Sequence, residues 1–231
     1  MSHQENISRI KAVHNALGPL KSEVVFVGGA TVSLYADRQA EETRPTEDVD
    51  ILIEITSKTE FAKLEEQLRV MGFENDKNAK FLGRYLHSGI VVDVMPTEEQ
   101  ILGFINIWYK EGFKTSINYT IDPQHTVKIF SPAYFIATKM EAFKSRGNND
   151  GRMSSDFEDI VFVWGNRRSI WKEMAEANPN LQSYLIEECK QLHSNTYLEE
   201  WIGSHAGNSE GIKIIDALNR FVSQSKNTDL S

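Results

Sequence analysis

Three carboxylates and a pair of glycines carry the chemistry that can be read from this sequence. Asp48-Val49-Asp50-Ile51-Leu52-Ile53 reads as a strand in which Asp48, Asp50 and Leu52 share one face, because strand side chains alternate. Gly28-Gly29 stops the apolar run Val24-Val25-Phe26-Val27, which reads as a buried strand ending in a tight turn. Ala30, Val32, Leu34 and Tyr35 then fit a short helix before Asp37. A glycine turn feeding a helix N-terminus lets backbone N–H groups approach a phosphate, and the helix dipole favours negative charge there. Two carboxylates opposite such a turn suit a divalent metal and a nucleotide. Asp93, set alone in Val91-Val92-Asp93-Val94-Met95, is the candidate third ligand. Hard divalent ions take several oxygens, and an unpaired charge in an apolar strand is expensive to bury. Two ions held there could bridge a triphosphate, activate an attacking hydroxyl and steady the leaving pyrophosphate.

Each feature has a plainer reading when taken singly. A D-x-D pair is commonly a solvated strand edge, and a double glycine is commonly a turn. Asp93 could be a satisfied core carboxylate or an edge residue facing water. The combination is what carries weight: strand, double glycine, helix, about twenty residues, a D-x-D strand, then a carboxylate on a later apolar strand.

The elements that must position these residues follow from the hydrophobic pattern. Ile7, Ile10, Val13, Leu17 and Leu20 recur at helical spacing, which predicts an amphipathic helix from about residue 5 to 18, stopped by Gly18-Pro19. A polar link from Arg38 to Thr46 contains Pro45, which disfavours helix. Phe61, Leu64, Leu68, Val70 and Met71 predict a helix between Ser57 and Gly72, with Thr59 as a candidate cap. Phe81 to Pro96 reads as two strands joined at Ser88-Gly89, and two further short strands fit around Asp122-Pro123. Ser131-Pro132 opens a helix to about Arg146. Beyond the turn residues Gly147 to Gly151, helical segments are predicted around Asp156–Trp164, Ile170–Ala177, Leu181–Leu192, Thr196–Ile202 and Gly211–Phe221. The expected class is α+β, a small mixed-sheet core over residues 1–130 followed by a helical region over 131–231.

Composition narrows the function classes. The 231-residue chain carries 25 Lys and Arg against 33 Asp and Glu, a net charge of −8, which argues against a protein that coats nucleic acid or an anionic membrane. It leaves room for local RNA contact through residues such as Lys110, Lys114, Lys144, Arg146, Arg152, Arg167 and Arg168. The single Cys189 rules out an intramolecular disulfide. The N-terminal residues lack a basic and an apolar leader region, and no apolar run approaches bilayer-spanning length, so a cytoplasmic location without membrane contact is expected.

Gly28-Gly29 followed by Arg44-x-Thr46-x-Asp48-x-Asp50 resembles the signature of the DNA polymerase β-type nucleotidyltransferase superfamily. More narrowly, the chain is similar to the AbiEii-type nucleotidyltransferases, the toxin halves of type IV toxin–antitoxin pairs. Ala137-Thr138-Lys139-Met140-Glu141-Ala142, then Arg146, then Asp156-Phe157-Glu158-Asp159-Ile160 resembles that family's helical K-x-x-A…R…D-x-x-D-I segment. The resemblance spans residues 24–165. It implies a mixed-sheet nucleotidyltransferase using Mg²⁺, with two ions expected, and an NTP as substrate. Gly28, Gly29 and Thr46 would then hold the nucleotide, Asp48 and Asp50 would bind Mg²⁺, and Asp93 would complete the metal site and help deprotonate the acceptor. Lys139 would contact the triphosphate, Asp159 would orient Lys139 or the nucleotide, and Arg146 would assist. Lys–Asp or Arg–Asp pairs tying adjacent helices together are the alternative for these last three. After the double glycine the family often has Thr or Ser followed by Ala-Leu; here Ala30-Thr31-Val32-Ser33-Leu34 offers a phosphate-contacting hydroxyl from Thr31 or Ser33.

The expected activity is transfer of a nucleoside monophosphate from an NTP to an acceptor hydroxyl, on tRNA or a protein, with a cognate antitoxin as partner. Two alternatives stand beside it: a small-molecule transferase of the antibiotic-modifying type, and a non-catalytic nucleotide- or partner-binding module.

Overall fold

The computed structural model describes residues 2–37, 43–103, 106–148 and 150–224. The chain divides into two compact units, Met1–Leu34 with Gln39–Ser131, and Tyr35–Arg38 with Pro132–Ser231. The first holds α1 (Ser2–Ala16), β1 (Val24–Val27), a 3₁₀ segment (Gly29–Tyr35) running to its edge, β2 (Asp48–Ile53), α2 (Lys58–Val70), β3 (Glu74–Asn75), β4 (Arg84–His87), β5 (Ile90–Pro96), α3 (Glu99–Leu102), α4 (Tyr109–Lys114), β6 (Ile117–Asp122) and β7 (His125–Ile129). The second holds α5 (Pro132–Arg146), α6 (Ser155–Asn166), α7 (Ile170–Ala175), α8 (Pro179–His193) and α9 (Leu198–Gln224).

The strands form one seven-stranded sheet in the order β3-β4-β5-β2-β1-β7-β6. β2 pairs in parallel with β5 and antiparallel with β1, and β1 is parallel to β7, so the sheet is mixed. The four residues of β1 are all buried, as their unbroken apolar run requires for a central strand. β2 is different: Asp48 and Asp50 are half-buried while Val49, Ile51, Leu52 and Ile53 are buried. Its two carboxylates therefore stand together on one face above an apolar underside. β4 and β5 meet at Ser88-Gly89, both with positive φ (50° and 81°), the backbone that a two-residue hairpin turn demands.

In the second unit the core is aromatic. Phe143, Phe157 and Trp201 meet pairwise with ring centroids 5.2–6.0 Å apart, joining α5, α6 and α9. The two helices predicted after residue 196 are the two helical stretches of α9, which meet at Gly207, whose φ of 74° and ψ of 162° are not helical. β3, α3 and α4 carry no periodic pattern long enough to predict and are set by their neighbours. Of the polar link after Asp37, residues 38–42 lie outside the described residues.

The cap of α2 is Ser57, not Thr59. Ser57 Oγ accepts from the Glu60 N–H at 3.2 Å, and Glu60 reaches back to accept from Thr56 N and Oγ1 at 2.8 Å each. This satisfies end donors that a helix cannot pair internally. Ser57→Ala should lower the unfolding free energy by about 1 kcal/mol, whereas Thr59→Ala should change it by less than about 0.5 kcal/mol. Urea unfolding of both variants checks this, and equal losses would place the cap elsewhere.

Candidate active site

The sheet register builds the site. Asp50 and Asp93 are direct partners on the parallel strands β2 and β5, and Arg84 is the partner of Asp93 across the β4–β5 hairpin. Arg84, Asp93 and Asp50 thus form one charged row across three strands, with Asp48 one pleat away on the same face. Two carboxylates side by side repel unless a cation sits between or beside them. Arg84 supplies it: Nε donates to Asp93 Oδ1 at 2.7 Å, Nη2 donates to Asp93 Oδ2 at 2.7 Å, and Nη2 also reaches Asp48 Oδ2 at 3.4 Å. The Asp93 side chain is 11% exposed, so the sequence-level worry about an unpaired buried charge is answered by a forked ion pair. The Asp93 hydrogen bond, working against burial, pushes the Arg84 guanidinium still further above its ordinary value.

The glycine turn receives side chains. Gly28 has φ +72°, and a Cβ there would lie 1.8 Å from Asp50 Oδ2. A Cβ on Gly29 would lie 2.3 Å from Arg44 Nη2. The double glycine is therefore the space into which the Asp50 carboxylate and the Arg44 guanidinium settle against bare backbone. Thr31 Oγ1 donates to the Gly28 carbonyl at 2.9 Å and shapes the turn. Ser33 Oγ is buried with no partner among the described residues. Thr46 is fixed by Asn6 of α1, whose Oδ1 accepts from Thr46 N at 3.2 Å and Oγ1 at 3.1 Å. Asn6 Nδ2 donates in turn to the Arg44 carbonyl at 3.3 Å. Asn6 is fully buried and escaped the sequence reading; a lone polar residue at an inward helical position was the signal.

A hard divalent ion is suited by Asp48 and Asp50 together with phosphate and water oxygens. Asp93 has both oxygens on Arg84, and among the described residues no three His, Cys, Asp or Glu side chains are grouped to hold an ion. The donor chemistry fits at the Asp48–Asp50 pair and stops short of a three-carboxylate cage.

The second unit carries the other predicted residues as a cluster of its own. Lys139 on α5 is 6% exposed, and its Nζ lies 2.6 Å from Asp159 Oδ2 and 3.1 Å from Asp156 Oδ1 on α6. Arg146 forks onto Asp156 through Nε at 2.7 Å and Nη2 at 2.9 Å. Asp156, which was read only as part of a motif, is the hub. Burial pushes its carboxyl up, but the Arg146 hydrogen bond and the Lys139 charge outweigh this and hold it at about 2.

The surface cations named for RNA contact are largely engaged. Lys110 pairs with Glu98, Lys114 with Glu111, Lys144 with Glu188, Arg152 with Asp150 and Arg167 with Glu173, all within 2.9 Å. No helix among the described residues is long and apolar enough to cross a membrane.

A family model described as "Nucleotidyl transferase AbiEii toxin, Type IV TA system" matches residues 13–177, and the chain belongs to that family; it is a nucleotidyltransferase. No curated protein matches the chain. Among solved structures, it is similar to an antigenic nucleotidyltransferase-like protein from Paracoccidioides brasiliensis, at 18% identity and a TM-score of 0.49 over 85% of this chain and 92% of that one.

The Asp156 cluster makes acid sensitivity predictable. In the unfolded chain this carboxyl takes its proton near 3.8, and in the folded chain only near 2. The stability it contributes, about 2 kcal/mol, is complete above about pH 4 and lost as the pH falls toward 2. Asp156→Asn should remove that part of the pH dependence of the urea midpoint; an unchanged acid slope would assign it to other carboxylates.

Proposed function

We propose that this AbiEii-family nucleotidyltransferase moves a nucleoside monophosphate from an NTP to an acceptor hydroxyl in a Mg²⁺-dependent reaction centred on Asp48 and Asp50. The observation that carries this reading is the seating of the R-x-T-x-D-x-D segment. Asn6 fixes Arg44 and Thr46, and the Asp50 carboxylate lies against the bare backbone of Gly28. Asp48 and Asp50 would hold the ion, which supplies charge neutralisation at the triphosphate. Gly28 and Gly29 bring bare backbone up against the Asp50 carboxylate and the Arg44 guanidinium, and that guanidinium is a fork suited to phosphate. The acceptor oxygen forms its bond to the α-phosphorus as the bond to the β-phosphate breaks, so pyrophosphate leaves and the acceptor proton is released. Holding both partners in line supplies most of the acceleration in such transfers.

The acceptor belongs to tRNA or to a protein, and a cognate antitoxin restrains the activity. The family's place among type IV toxin–antitoxin systems supports the partner. Because several surface cations are already paired, acceptor binding rests on local shape more than on a basic face.

Purified protein incubated with each α-phosphate-labelled NTP, Mg²⁺ and total tRNA should pass label to RNA or to protein. Asp48→Ala and Asp50→Ala should each lower transfer at least about 100-fold while melting like the wild type, since both side chains are half-exposed. Expression without its partner should slow growth for the wild type and not for Asp48→Ala. Full transfer by either folded variant would remove the assignment.

A further inference from the structure

Arg84 and its partner Asp93 are the charged residues of the row that the reading above leaves without a task. The placement of Arg84 is set by backbone. The Val94 N–H donates to the Gly83 carbonyl at 2.8 Å, and the Asp76 N–H donates to the Arg84 carbonyl at 3.0 Å, so β4 begins at a fixed level beside β5. A Cβ on Gly83 would lie 2.3 Å from the Val94 carbonyl oxygen, which is why a residue without one precedes the arginine. From that level the side chain meets Asp93 squarely: both carboxylate oxygens are taken, each at 2.7 Å, and the outer nitrogen extends to Asp48 at 3.4 Å. The fork is planar, permanently charged and two-thirds covered, a geometry that a lysine could not reproduce.

We propose that Arg84 is a positioning residue that keeps Asp93 as an ion-paired carboxylate, so that the row takes one divalent ion, at Asp48 and Asp50, and the guanidinium supplies the positive charge that a second ion would bring. The proposal rests on the nucleotidyltransferase reading of Asp48 and Asp50. For Asp93 to ligate an ion it would have to give up at least one of two 2.7 Å charge-assisted hydrogen bonds, whereas Asp48 meets Arg84 through Oδ2 at 3.4 Å. With Arg84 in place, the three carboxylates already have a cation shared between two of them. Arg84 therefore sets how many ions the site accepts and where the remaining one sits.

The ion count is the direct readout. Mn²⁺ bound per full-length chain is measured by equilibrium dialysis and electron paramagnetic resonance, with a saturating non-hydrolysable NTP analogue, for the wild type, Arg84→Met, Arg84→Lys and Asp48→Ala. The expected result is one ion for the wild type and for Arg84→Lys, two for Arg84→Met, and none for Asp48→Ala. A merely structural arginine would change the melting temperature without changing the count. Two ions in the wild type would overturn the proposal while leaving the function reading intact. One ion in a folded Arg84→Met would also overturn it. If Arg84→Met does not fold, the wild-type and Arg84→Lys counts still decide. No ion on the wild type, with or without the analogue, would remove the Asp48–Asp50 reading and this proposal with it.

Discussion

The first unit is organised by a problem of charge. Asp48, Asp50 and Asp93 stand on one face of a sheet, two of them in direct register, and like charges at such spacing are destabilising unless something intervenes. The fold answers with two adjustments that depend on each other. Arg84 comes in from the neighbouring hairpin strand and takes both oxygens of Asp93. Asp50 leans the other way, into the space left by the missing side chain of Gly28. The β4–β5 hairpin, the double glycine and the aspartate motif are thus parts of one electrostatic arrangement, in which losing Arg84 or filling the space at Gly28 would leave the carboxylates crowded.

The second unit solves a related problem with a buried cation. Lys139 is almost fully buried, and a buried ammonium is tolerable only with partners. Asp159 and Asp156 provide them from one face of α6, three residues apart, and Arg146 balances the second carboxylate from the end of α5. Helix spacing is what makes the pair converge on a single nitrogen, as strand alternation makes Asp48 and Asp50 share a face. In both units a family motif is a set of charges whose spacing matches the period of the element that carries it.

Much of this was legible in the sequence. The strands bearing the glycines and aspartates, the hairpin at Ser88-Gly89 and the mixed α+β class followed from period, punctuation and residue type, while the family came from the likeness of its motifs. Arg84 was missed although the information was present: it lies four residues before Ser88, as Asp93 lies four after Gly89, so a two-residue turn makes them partners. Asn6 was visible only as a lone polar residue at an inward helical position; its partners were illegible, since its bonds to Arg44 and Thr46 join residues some forty positions apart. Single-residue patterns do not encode such pairings. The short elements α3 and α4 were beyond reach because a few residues cannot display a period, whereas the break at Gly207 in α9 falls between the two helices the sequence suggested.

The Asn6 clasp has a consequence for the chain as it is made. The contacts described above that seat the aspartate motif span dozens of residues: α1 to Thr46, Arg84 to Asp48, Asp50 to Asp93. A polypeptide emerging from the ribosome therefore displays the whole motif long before it can assemble the site, because β5 must be out before β2 has its parallel neighbour. Prematurely terminated chains that end ahead of Asp93 carry the signature of the enzyme without its architecture. Assembly of the charged row is thereby tied to synthesis of β5, which follows the appearance of the aspartate motif.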